Sequence, residues 1–377
     1  MQRGPLSLKA NYVHPMEQPR DLSEIRQDID SVDGQLIDLL NRRARLAQEV
    51  GSLKGRDGKP FFTPERERLI FEKLSIINPG PLQNEHLASI YREIISAARA
   101  LEKPLTAAYW GPPGTFTHLA AMQVFGGSSE FRPADSITEV FRMVEHRLCD
   151  YGVVPVENST AGVVPETLDM FPQTNVKICA ETYVMVHHHL ASVAGSLDEI
   201  ERIYAGPQPW QQCNRWIREH LPKAEIIEVV PTSRAAETAL RDPKGAAICN
   251  SFGAETVGIP ILSEHIEDNP QNRTRFLVIG YNEPAKTGRD KTSLMFNLRN
   301  KPGELYRALG ALDKEGVNLM MIESRPAPRA SFEYIFYIDC AGHRTDAPLQ
   351  AAIESLRHCA LETVILGSYP SNDAMSG

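Results

Sequence analysis

Long hydrophobic runs are absent from this 377-residue sequence. No window approaches the roughly 18 apolar residues of a membrane-spanning helix, so we expect neither a membrane domain nor a membrane partner. The first twenty residues are polar, include three prolines and contain no apolar stretch, which argues against a secretory signal peptide.

Paired cysteines and surplus positive charge are also lacking. The six cysteines are scattered without a C-x-x-C pair, which indicates reduced thiols in the cytoplasm instead of a disulfide framework. The 40 basic residues against 48 acidic ones give a net charge of −8, which argues against a nucleic-acid partner. An anionic substrate would therefore need cations that are concentrated locally.

The composition is otherwise that of an ordinary globular protein, and the length indicates two to three domains. The segment 21–103 predicts an all-α module. Its first helix shows apolar residues at helical spacing and ends near Gly55. Thr63-Pro64 predicts the N-cap and first residue of a second helix that ends near Ile77, and a third helix is predicted for about 82–102.

Two further patterns follow along the chain. Residues 105–282 alternate short strand-like and helix-like runs, which predicts an α/β domain. Residues 290–368 follow the order strand, helix, strand, strand, helix, strand, which is a ferredoxin-like βαββαβ layout. We expect residues 1–20 and the tail 369–377 to be disordered.

Charged residues on the first helix can be placed by geometry. Arg43 and Lys54 lie on nearly the same face, about 16 Å apart, so two bending side chains can hold one small molecule between them. Arg26 lies about 25 Å before Arg43 and about a quarter turn off that face. Arg26 therefore either plays no part in this site or reaches the site of a second copy. Taken singly, each charge is ordinary for a solvated helix surface.

The strings D-L-S-E-I-R, L-A-Q-E-V-G-S-L-K, P-E-R-E and R-E-I-I-S-A make residues 21–103 resemble the all-helical chorismate mutase family. The resemblance implies an intertwined dimer in which the first-helix arginine enters the partner's site. It also implies a pocket with six catalytic residues: Arg26, Arg43, Lys54, Arg66, Glu67 and Glu102.

That family rearranges chorismate to prephenate without a nucleophile or a cofactor. Arginines suit the two substrate carboxylates, Lys54 would donate to the ether oxygen, and Glu67 would accept from the ring hydroxyl. Thr63 and Ala98 are assigned as substrate contacts, where some members carry a carboxylate and a serine. We expect Glu102 to act protonated, because burial beside anions raises the pKa of a carboxyl group.

The strings G-P-P-G-T-F-T, V-P-V-E-N-S and N-R-T-R-F border strands of the α/β region. A glycine-rich turn at a helix start can hold an anion, and polar residues at strand ends form sites in α/β sheets. In this order the strings resemble prephenate dehydratase, a two-lobed α/β enzyme with its reaction cleft between the lobes, and Thr274 matches its catalytic threonine. The substrate contacts are assigned to Thr115, Glu157, Asn158, Ser159, Thr160, Gln208, Arg275 and Phe276.

Prephenate loses CO₂ and water and becomes aromatic, so the enzyme need only assist a poor leaving group. A threonine hydroxyl is too weak an acid for full proton transfer, so we interpret Thr274 as a hydrogen-bond donor, directly or through water or Glu157. Two roles stay open for Arg275, a substrate contact or an internal salt bridge. Glu157 is interpreted as an orienting or structural residue.

Three consecutive histidines at 187–189 raise the question of a metal site. Consecutive side chains of a strand alternate between its faces, so three in a row cannot converge on one ion. We expect neither a metal nor a cofactor.

The βαββαβ order with the string E-S-R-P resembles the ACT regulatory domain, which in these enzymes binds phenylalanine at a domain dimer interface. In this sequence Glu304 replaces a small residue of the family's other effector string. The effector contacts are assigned to Gly303, Leu305, Asn318, Leu319, Glu323, Ser324, Arg325 and Pro326.

Taken together, the resemblances predict an enzyme of phenylalanine biosynthesis, at least dimeric, that converts chorismate to prephenate and then to phenylpyruvate and is inhibited by phenylalanine. A non-catalytic amino-acid sensor is the alternative from another class, against which Thr274 and the mutase residues argue. A dehydratase acting on arogenate is a closer alternative, and the fused mutase favours prephenate over it.

Overall fold

The computed structural model describes residues 20–57, 60–230, 234–327 and 334–372. The first part is a helical module of three helices, as predicted. Thr63 stands at the N-cap of the second helix, but its side chain makes no capping hydrogen bond. The helices are α1 (Leu22–Asp57), α2 (Pro64–Ile77) and α3 (Asn84–Glu102). No helix among the described residues is long and apolar enough to cross a membrane.

The long helix α1 is mostly uncovered. Its C-terminal part packs on α3, whereas apolar side chains along its length are exposed, including those of Ile29, Val32, Leu36 and Leu39. The predicted apolar face therefore exists, but one chain does not bury it. Phe62, in the turn before α2, is 2% exposed and joins the module to the core of the next domain.

A two-lobed α/β domain follows. The sheet of the first lobe has the strand order β2-β1-β3-β11-β5, with β4 paired to β3. Its elements are β1 (Thr106–Trp110), α4 (Phe116–Phe125), β2 (Glu130–Ala134), α5 (Ile137–Glu145), β3 (Tyr151–Asn158), β4 (Gly162–Val163), α6 (Pro165–Met170), β5 (Lys177–Met185) and β11 (Arg273–Gly280).

The second lobe has its own five-stranded sheet, in the order β10-β6-β9-β7-β8. Its elements are β6 (His189–Ser192), β7 (Arg202–Ala205), α7 (Pro207–Gln212), α8 (Asn214–His220), β8 (Glu225–Glu228), α9 (Arg234–Leu240), β9 (Gly245–Cys249), α10 (Ser251–Val257) and β10 (Ile261–Ser263).

The chain passes between the lobes twice. Residues 186–188 form the first crossover, from β5 to β6, and residues 264–272 form the second, from β10 back to β11. Backbone hydrogen bonds join the crossovers at both ends: Val186 N to Asn272 O (2.8 Å) and Ile266 N to His188 O (2.9 Å). The two crossovers therefore behave as one joint at the base of the interlobe cleft.

The C-terminal domain has the predicted βαββαβ order and a four-stranded sheet in the order β13-β14-β12-β15. Helices cover one face of this sheet, and the other face packs on the first lobe in a shared apolar core. The elements are β12 (Asp290–Leu298), α11 (Glu304–Lys314), β13 (Leu319–Pro326), β14 (Tyr334–Ala341), α12 (Ala347–Cys359) and β15 (Glu362–Pro370).

Close backbone contact accompanies this packing. A Cβ atom on Gly367 of β15 would lie 2.1 Å from the carbonyl oxygen of Ile178 in β5, so only glycine fits there. The Lys177 ammonium donates to the carbonyl of Ile365 (2.8 Å). The C-terminal domain is therefore docked on the first lobe along β5 and β15.

Arg275 of β11 joins the two domains. Its guanidinium is 4% exposed and donates to Glu181 (2.7 Å), to Asp339 of the C-terminal domain (2.6 Å) and to the Tyr369 hydroxyl (3.0 Å). Lys291 adds a second cation at 3.0 Å from Glu181. Of the two roles left open for Arg275, the internal salt bridge is therefore the one that the structure shows.

The expected disorder at the chain ends is partly corrected. The strand β15 continues through Pro370, and Asn372 bonds the backbone and side chain of Glu181 at 2.6 and 3.0 Å, so the tail is ordered beyond residue 369. The expectation for residues 1–19 and 373–377 falls outside the described residues.

We expect Arg275→Met to lower the free energy of unfolding by about 3–5 kcal/mol, because Glu181 and Asp339 would keep buried charges with too few cations. Urea denaturation of the full chain measures this change. Arg142→Met, which removes a pair with Glu139 on the exposed face of α5, is the control and should change little. Equal effects of the two substitutions would contradict a buried network at Arg275.

Candidate functional sites

The ends of the three helices bring opposite charges together at the place assigned to the mutase pocket. Glu67 of α2 accepts a hydrogen bond from Arg99 of α3 (2.7 Å), and Arg99 also donates to the Phe125 carbonyl (2.7 Å). Glu102 lies against Gly51 of α1, where a Cβ atom would come within 2.6 Å of its Cγ. The glycine thus gives Glu102 its space.

Burial raises the pKa of two carboxyl groups at this site. Burial raises the pKa of Glu67 to about 7, although Arg99 and Lys54 favour its charged form. Burial also raises the pKa of Glu102, again against the pull of Lys54 and Arg99. The direction for Glu102 agrees with the protonated role expected from the sequence.

Some polar atoms of the pocket are buried without a partner among the described residues. They are Glu102 Oε2, Arg99 Nε and Glu65 Oε2. A buried polar atom that lacks a hydrogen bond is costly, at about 1–3 kcal/mol. These three atoms are therefore available to form hydrogen bonds with a polar ligand.

The remaining residues assigned to this pocket are partly brought together. Lys54 lies close enough to Glu67 and Glu102 to affect the pKa of both, and Ala98 is buried on α3. Arg43 is half-buried on α1, eleven residues before Lys54, and Arg66 is exposed on α2. Arg26 stands near the start of α1, far along the helix from Lys54, as its spacing predicted.

In the two-lobed domain, Thr274 is held by Asn158 across paired strands. The Asn158 amide donates to Thr274 Oγ1 (2.9 Å) and to Asn272 Oδ1 (2.9 Å). Its own oxygen accepts from the backbone N–H groups of Thr160 and Ala161 at 3.0 and 2.8 Å. Asn158 is 7% exposed, so this orientation is fixed from within the protein.

The residues that follow Asn158 extend the network. The Ser159 N–H donates to the Arg273 carbonyl (2.9 Å), and the Arg273 N–H donates to the Ser159 hydroxyl (3.0 Å). The same hydroxyl lies 3.3 Å from Asn272 Oδ1. Thr160 accepts from the Asn269 amide at 3.4 Å. The V-P-V-E-N-S and N-R-T-R-F strings, more than a hundred residues apart in sequence, therefore meet at the base of the cleft.

Opposite this network, the lobes touch through glycine. Asn250 of the second lobe donates to the Gly114 carbonyl (3.0 Å), and a Cβ atom on Gly114 would lie 2.9 Å from the Cα of Gly253. Thr115 is the N-cap of α4 and bonds His118 N and Pro112 O. Gln208 is exposed on α7, one turn before Gln212, which bonds the crossover residue His188 (2.7 Å).

Three assigned substrate contacts need correction. Arg275 points away from Thr274 because consecutive residues of a strand face opposite sides, and its donors are used in the buried network. Glu157, directly opposite Arg275 in the ladder, shares that face and cannot relay a proton to Thr274. Phe276 is 1% exposed inside the first lobe's core, so it has no free surface for a substrate.

The assigned effector residues are divided over the C-terminal domain. Gly303 and Leu305 begin α11, whereas Asn318 and Leu319 follow its other end, about 16 Å away along the helix axis. The E-S-R-P string forms the last four residues of β13 and is not a turn. Within one chain these groups therefore do not make a single site.

Alternation along β13 separates the E-S-R-P side chains as well. Ser324 and Pro326 are exposed at the edge strand, whereas Arg325 bonds Asp169 of the first lobe at 2.8 and 3.0 Å. Arg325 is thus corrected from an effector contact to a contact between domains. Glu323 lies on the same side of the strand as Arg325.

Comparison with known proteins decides the family. The family models for chorismate mutase type II, prephenate dehydratase and the ACT domain match residues 25–103, 107–284 and 292–358. A bifunctional chorismate mutase/prephenate dehydratase of Aquifex aeolicus is 42% identical over 354 residues, or 93% of this chain and 98% of that protein. The chain belongs to the bifunctional chorismate mutase/prephenate dehydratase family. Its relative in Pseudomonas aeruginosa is 41% identical over 93% of this chain and 97% of that protein.

Solved structures resemble the part after the helical module. A prephenate dehydratase from Arthrobacter aurescens in complex with L-Phe has a TM-score of 0.67 and 35% identity, covering 71% of this chain and 91% of that one. A quorum quenching acylase has the same TM-score at 28% identity, covering 72% of this chain and 99% of that one. A prephenate dehydratase and an acylase thus share this fold, so the fold alone does not determine the activity. The family follows from the full-length bifunctional relatives.

Several residues that the structure places at these sites were missed in the sequence. Arg92 and Arg99 are seven residues apart on α3, a spacing that shares a face with Glu102 and could have indicated them. Asn272 belongs to the N-R-T-R-F string but was assigned no role. Glu181 and Asp339 carried no local signal, because only the tertiary fold brings them to Arg275.

We expect Gly51→Ala to lower mutase activity at least tenfold, because the new Cβ atom would displace Glu102 from the pocket. Gly310→Ala in α11 is the control, since it lies outside the helical module, nothing lies within 4 Å of its Cβ position and alanine favours a helix. Chorismate consumption by the two variants gives the comparison. Unchanged activity in Gly51→Ala would contradict the placement of Glu102.

Proposed function

We propose that the pocket between α1, α2 and α3 rearranges chorismate to prephenate, and that Thr274 assists the conversion of prephenate to phenylpyruvate in the interlobe cleft. The observation that carries this proposal is the Asn158–Thr274 hydrogen bond, which holds a hydroxyl at the cleft of a chain whose family is known. The chain is a bifunctional enzyme of aromatic amino acid biosynthesis.

The mutase pocket supplies cations and a neutral acid to a dianionic substrate. Arginines hold the carboxylates of the reactive conformer, which lowers the entropic part of the barrier. Lys54 and protonated Glu102 donate to the ether oxygen where negative charge develops. Glu67, with its pKa near 7, accepts from the ring hydroxyl, and Arg99 orients it.

In the dehydratase site, Asn158 determines the direction of the Thr274 hydroxyl. Because the Asn158 amide donates to Oγ1, the threonine proton is free to point at the departing oxygen of prephenate. As the carboxylate leaves as CO₂, the electron pair of the broken carbon–carbon bond enters the ring and expels the ring hydroxyl as hydroxide, which takes a proton from solvent and becomes water. Thr274 stabilises that leaving oxygen by a hydrogen bond. Ser159, Thr160 and Gln208 orient the substrate's anionic groups.

Prephenate, not arogenate, is the substrate that we assign. The fused mutase releases prephenate from the same chain, and the full-length relatives are described as prephenate dehydratases. Turnover of the two substrates by the full chain distinguishes them. Faster conversion of arogenate would contradict this assignment.

Phenylalanine acts through the C-terminal domain in this proposal. Deletion of that domain is a poor test, because its sheet shares an apolar core with the first lobe and its loss would expose that core. The substitution Ser324→Asp is a better test, because Ser324 is an exposed residue of β13 assigned to the effector site, and aspartate adds a negative charge there. It should raise the phenylalanine concentration needed for half-inhibition without changing uninhibited turnover.

A dimer completes the mutase pocket in this proposal. The exposed apolar residues of α1 need a cover, and Arg26 is too far along that helix to reach Lys54 of its own chain. A second copy of α1 would cover these apolar residues and would bring its own Arg26 to the Lys54 of this chain. Analytical ultracentrifugation at micromolar concentration should find no monomer.

A cytoplasmic location fits the chemistry of the thiols. All six cysteines are free, and five of them are buried. Cell fractionation with activity assays tests this location.

We expect Asn158→Asp to lower dehydratase turnover about a hundredfold or more, because an aspartate would accept the Thr274 proton that the leaving oxygen needs. The side chain keeps its shape and can still accept from Thr160 N and Ala161 N. Mutase turnover of the same sample is the internal control and should not change. A dehydratase rate near that of the wild type would contradict the role of Asn158.

We expect mutase activity of the wild type to fall as pH rises through the raised pKa of Glu102, since only the protonated carboxyl group can donate. Glu102→Gln should remove this fall, because the amide donates at every pH. Glu85→Gln, in the exposed first turn of α3, should keep the wild-type profile. A profile that is the same in all three proteins would contradict the protonated role.

A further inference from the structure

The joint between the lobes gathers two histidines and a carboxylate that neither reaction uses. His187 lies in the first crossover, and His265 and Glu267 lie in the second. One ligand atom of each of the three residues lies within 4.8 Å of the other two. The three side chains thus connect two segments that are about eighty residues apart in the sequence.

The carboxylate at the centre of this cluster is buried and held in place. The Glu267 side chain is 2% exposed; one oxygen lies 2.7 Å from His187 Nδ1 and 3.5 Å from His265 Nδ1. The other oxygen accepts from the backbone N–H of His188 (2.9 Å). Burial would raise the pKa of Glu267, but the hydrogen bonds from His187 and the His188 backbone outweigh it and lower the pKa.

The two imidazole rings are within reach of solvent and face each other. The His187 and His265 side chains are 35% and 57% exposed, with ring centroids 4.6 Å apart and nearly perpendicular planes. The backbone N–H of His265 donates to His189 Nδ1 (3.3 Å), which fixes the second crossover at this point. His265 also has a left-handed backbone with φ 53°.

We propose that His187, His265 and Glu267 bind one divalent transition-metal ion of the zinc class. Two imidazole nitrogens and one carboxylate oxygen are the three-ligand set that Zn²⁺ accepts, with water as the fourth ligand. Metal–ligand distances of about 2.0–2.2 Å place neighbouring donors about 3.3 Å apart, close to the separations of the Glu267 oxygen from the two rings. The ion replaces the proton shared by His187 and Glu267.

Only His187 of the three consecutive histidines takes part, because it lies in the crossover and the other two have different partners. His188 bonds Gln212 (2.7 Å), and His189 accepts the His265 N–H. The expectation that 187–189 cannot form a site by themselves therefore remains compatible with a site that takes its other two ligands from the second crossover.

The test is calorimetric titration of the full chain with ZnCl₂ after chelator treatment and desalting. We expect one ion per chain, and at least about tenfold weaker binding for His187→Ala and His265→Ala, since loss of even an outer partner of a metal ligand costs about 10–100-fold. His358→Ala, at the exposed end of α12, is the matched control and should bind as the wild type does.

Two further measurements test whether weaker binding comes from misfolding of a variant and whether the metal binds to cysteine thiols elsewhere. His265→Ala removes a largely exposed ring, and its circular dichroism should match that of the wild type. Co²⁺ should give a visible spectrum without thiolate charge transfer, because the site has no sulfur ligand. Failure to bind zinc, equal binding by His265→Ala and the wild type, or a thiolate spectrum would each overturn the proposal.

Discussion

The pairing of Arg275 with Glu181 and Asp339 is the interaction on which the arrangement of the domains depends. These charges are almost fully buried, and a buried charge without partners costs far more than a paired one. Arg275 can therefore be satisfied only when the C-terminal sheet is docked on the first lobe. The neighbouring residue on the same strand, Thr274, faces the cleft on the opposite side.

One strand, β11, thus serves two sites through the alternation of its side chains. Phe276 packs in the core of the first lobe, and Asn158 of β3 donates a hydrogen bond to the Thr274 hydroxyl. Within the N-R-T-R-F string, Arg275 makes the contact between domains, and Thr274 faces the other side of the strand. Because the two residues are consecutive, the distance between the domain contact and the Thr274 hydroxyl is fixed. A shift of the C-terminal sheet would move Asp339 relative to Arg275, which is the neighbour of Thr274 on β11.

The mutase pocket solves a different electrostatic problem, because a protein with a net charge of −8 must hold a dianion. Lys54, Arg92 and Arg99 concentrate positive charge between the helices, while burial keeps the acids Glu67 and Glu102 from opposing it fully. The space for Glu102 comes from Gly51, a residue that contributes no functional group.

Local patterns in the sequence were sufficient for the three helices, the α/β region and the βαββαβ order, because each depends on periodicity and turn residues. Specific strings also placed Lys54, Glu67 and Glu102 at one site, and the structure brings these three residues close together, while their roles and that of Thr274 stay predictions. They were insufficient where function depends on distant partners. The roles of Arg275, Glu157 and Arg325 depend on which strand face each side chain takes and on acids far away in the sequence.

The pairing of Glu67 with Arg99 and the meeting of His187 with Glu267 were equally hidden in the sequence. In both cases the partners come from separate elements, and no spacing rule connects them.

The central claim is that Thr274 carries the second reaction while the first proceeds elsewhere in the same chain. Chorismate supplied to the full-length Thr274→Val variant, with prephenate and phenylpyruvate followed over time, tests it most directly. The account predicts that chorismate is consumed at the wild-type rate and that prephenate accumulates. Phenylpyruvate formed at the wild-type rate would contradict it.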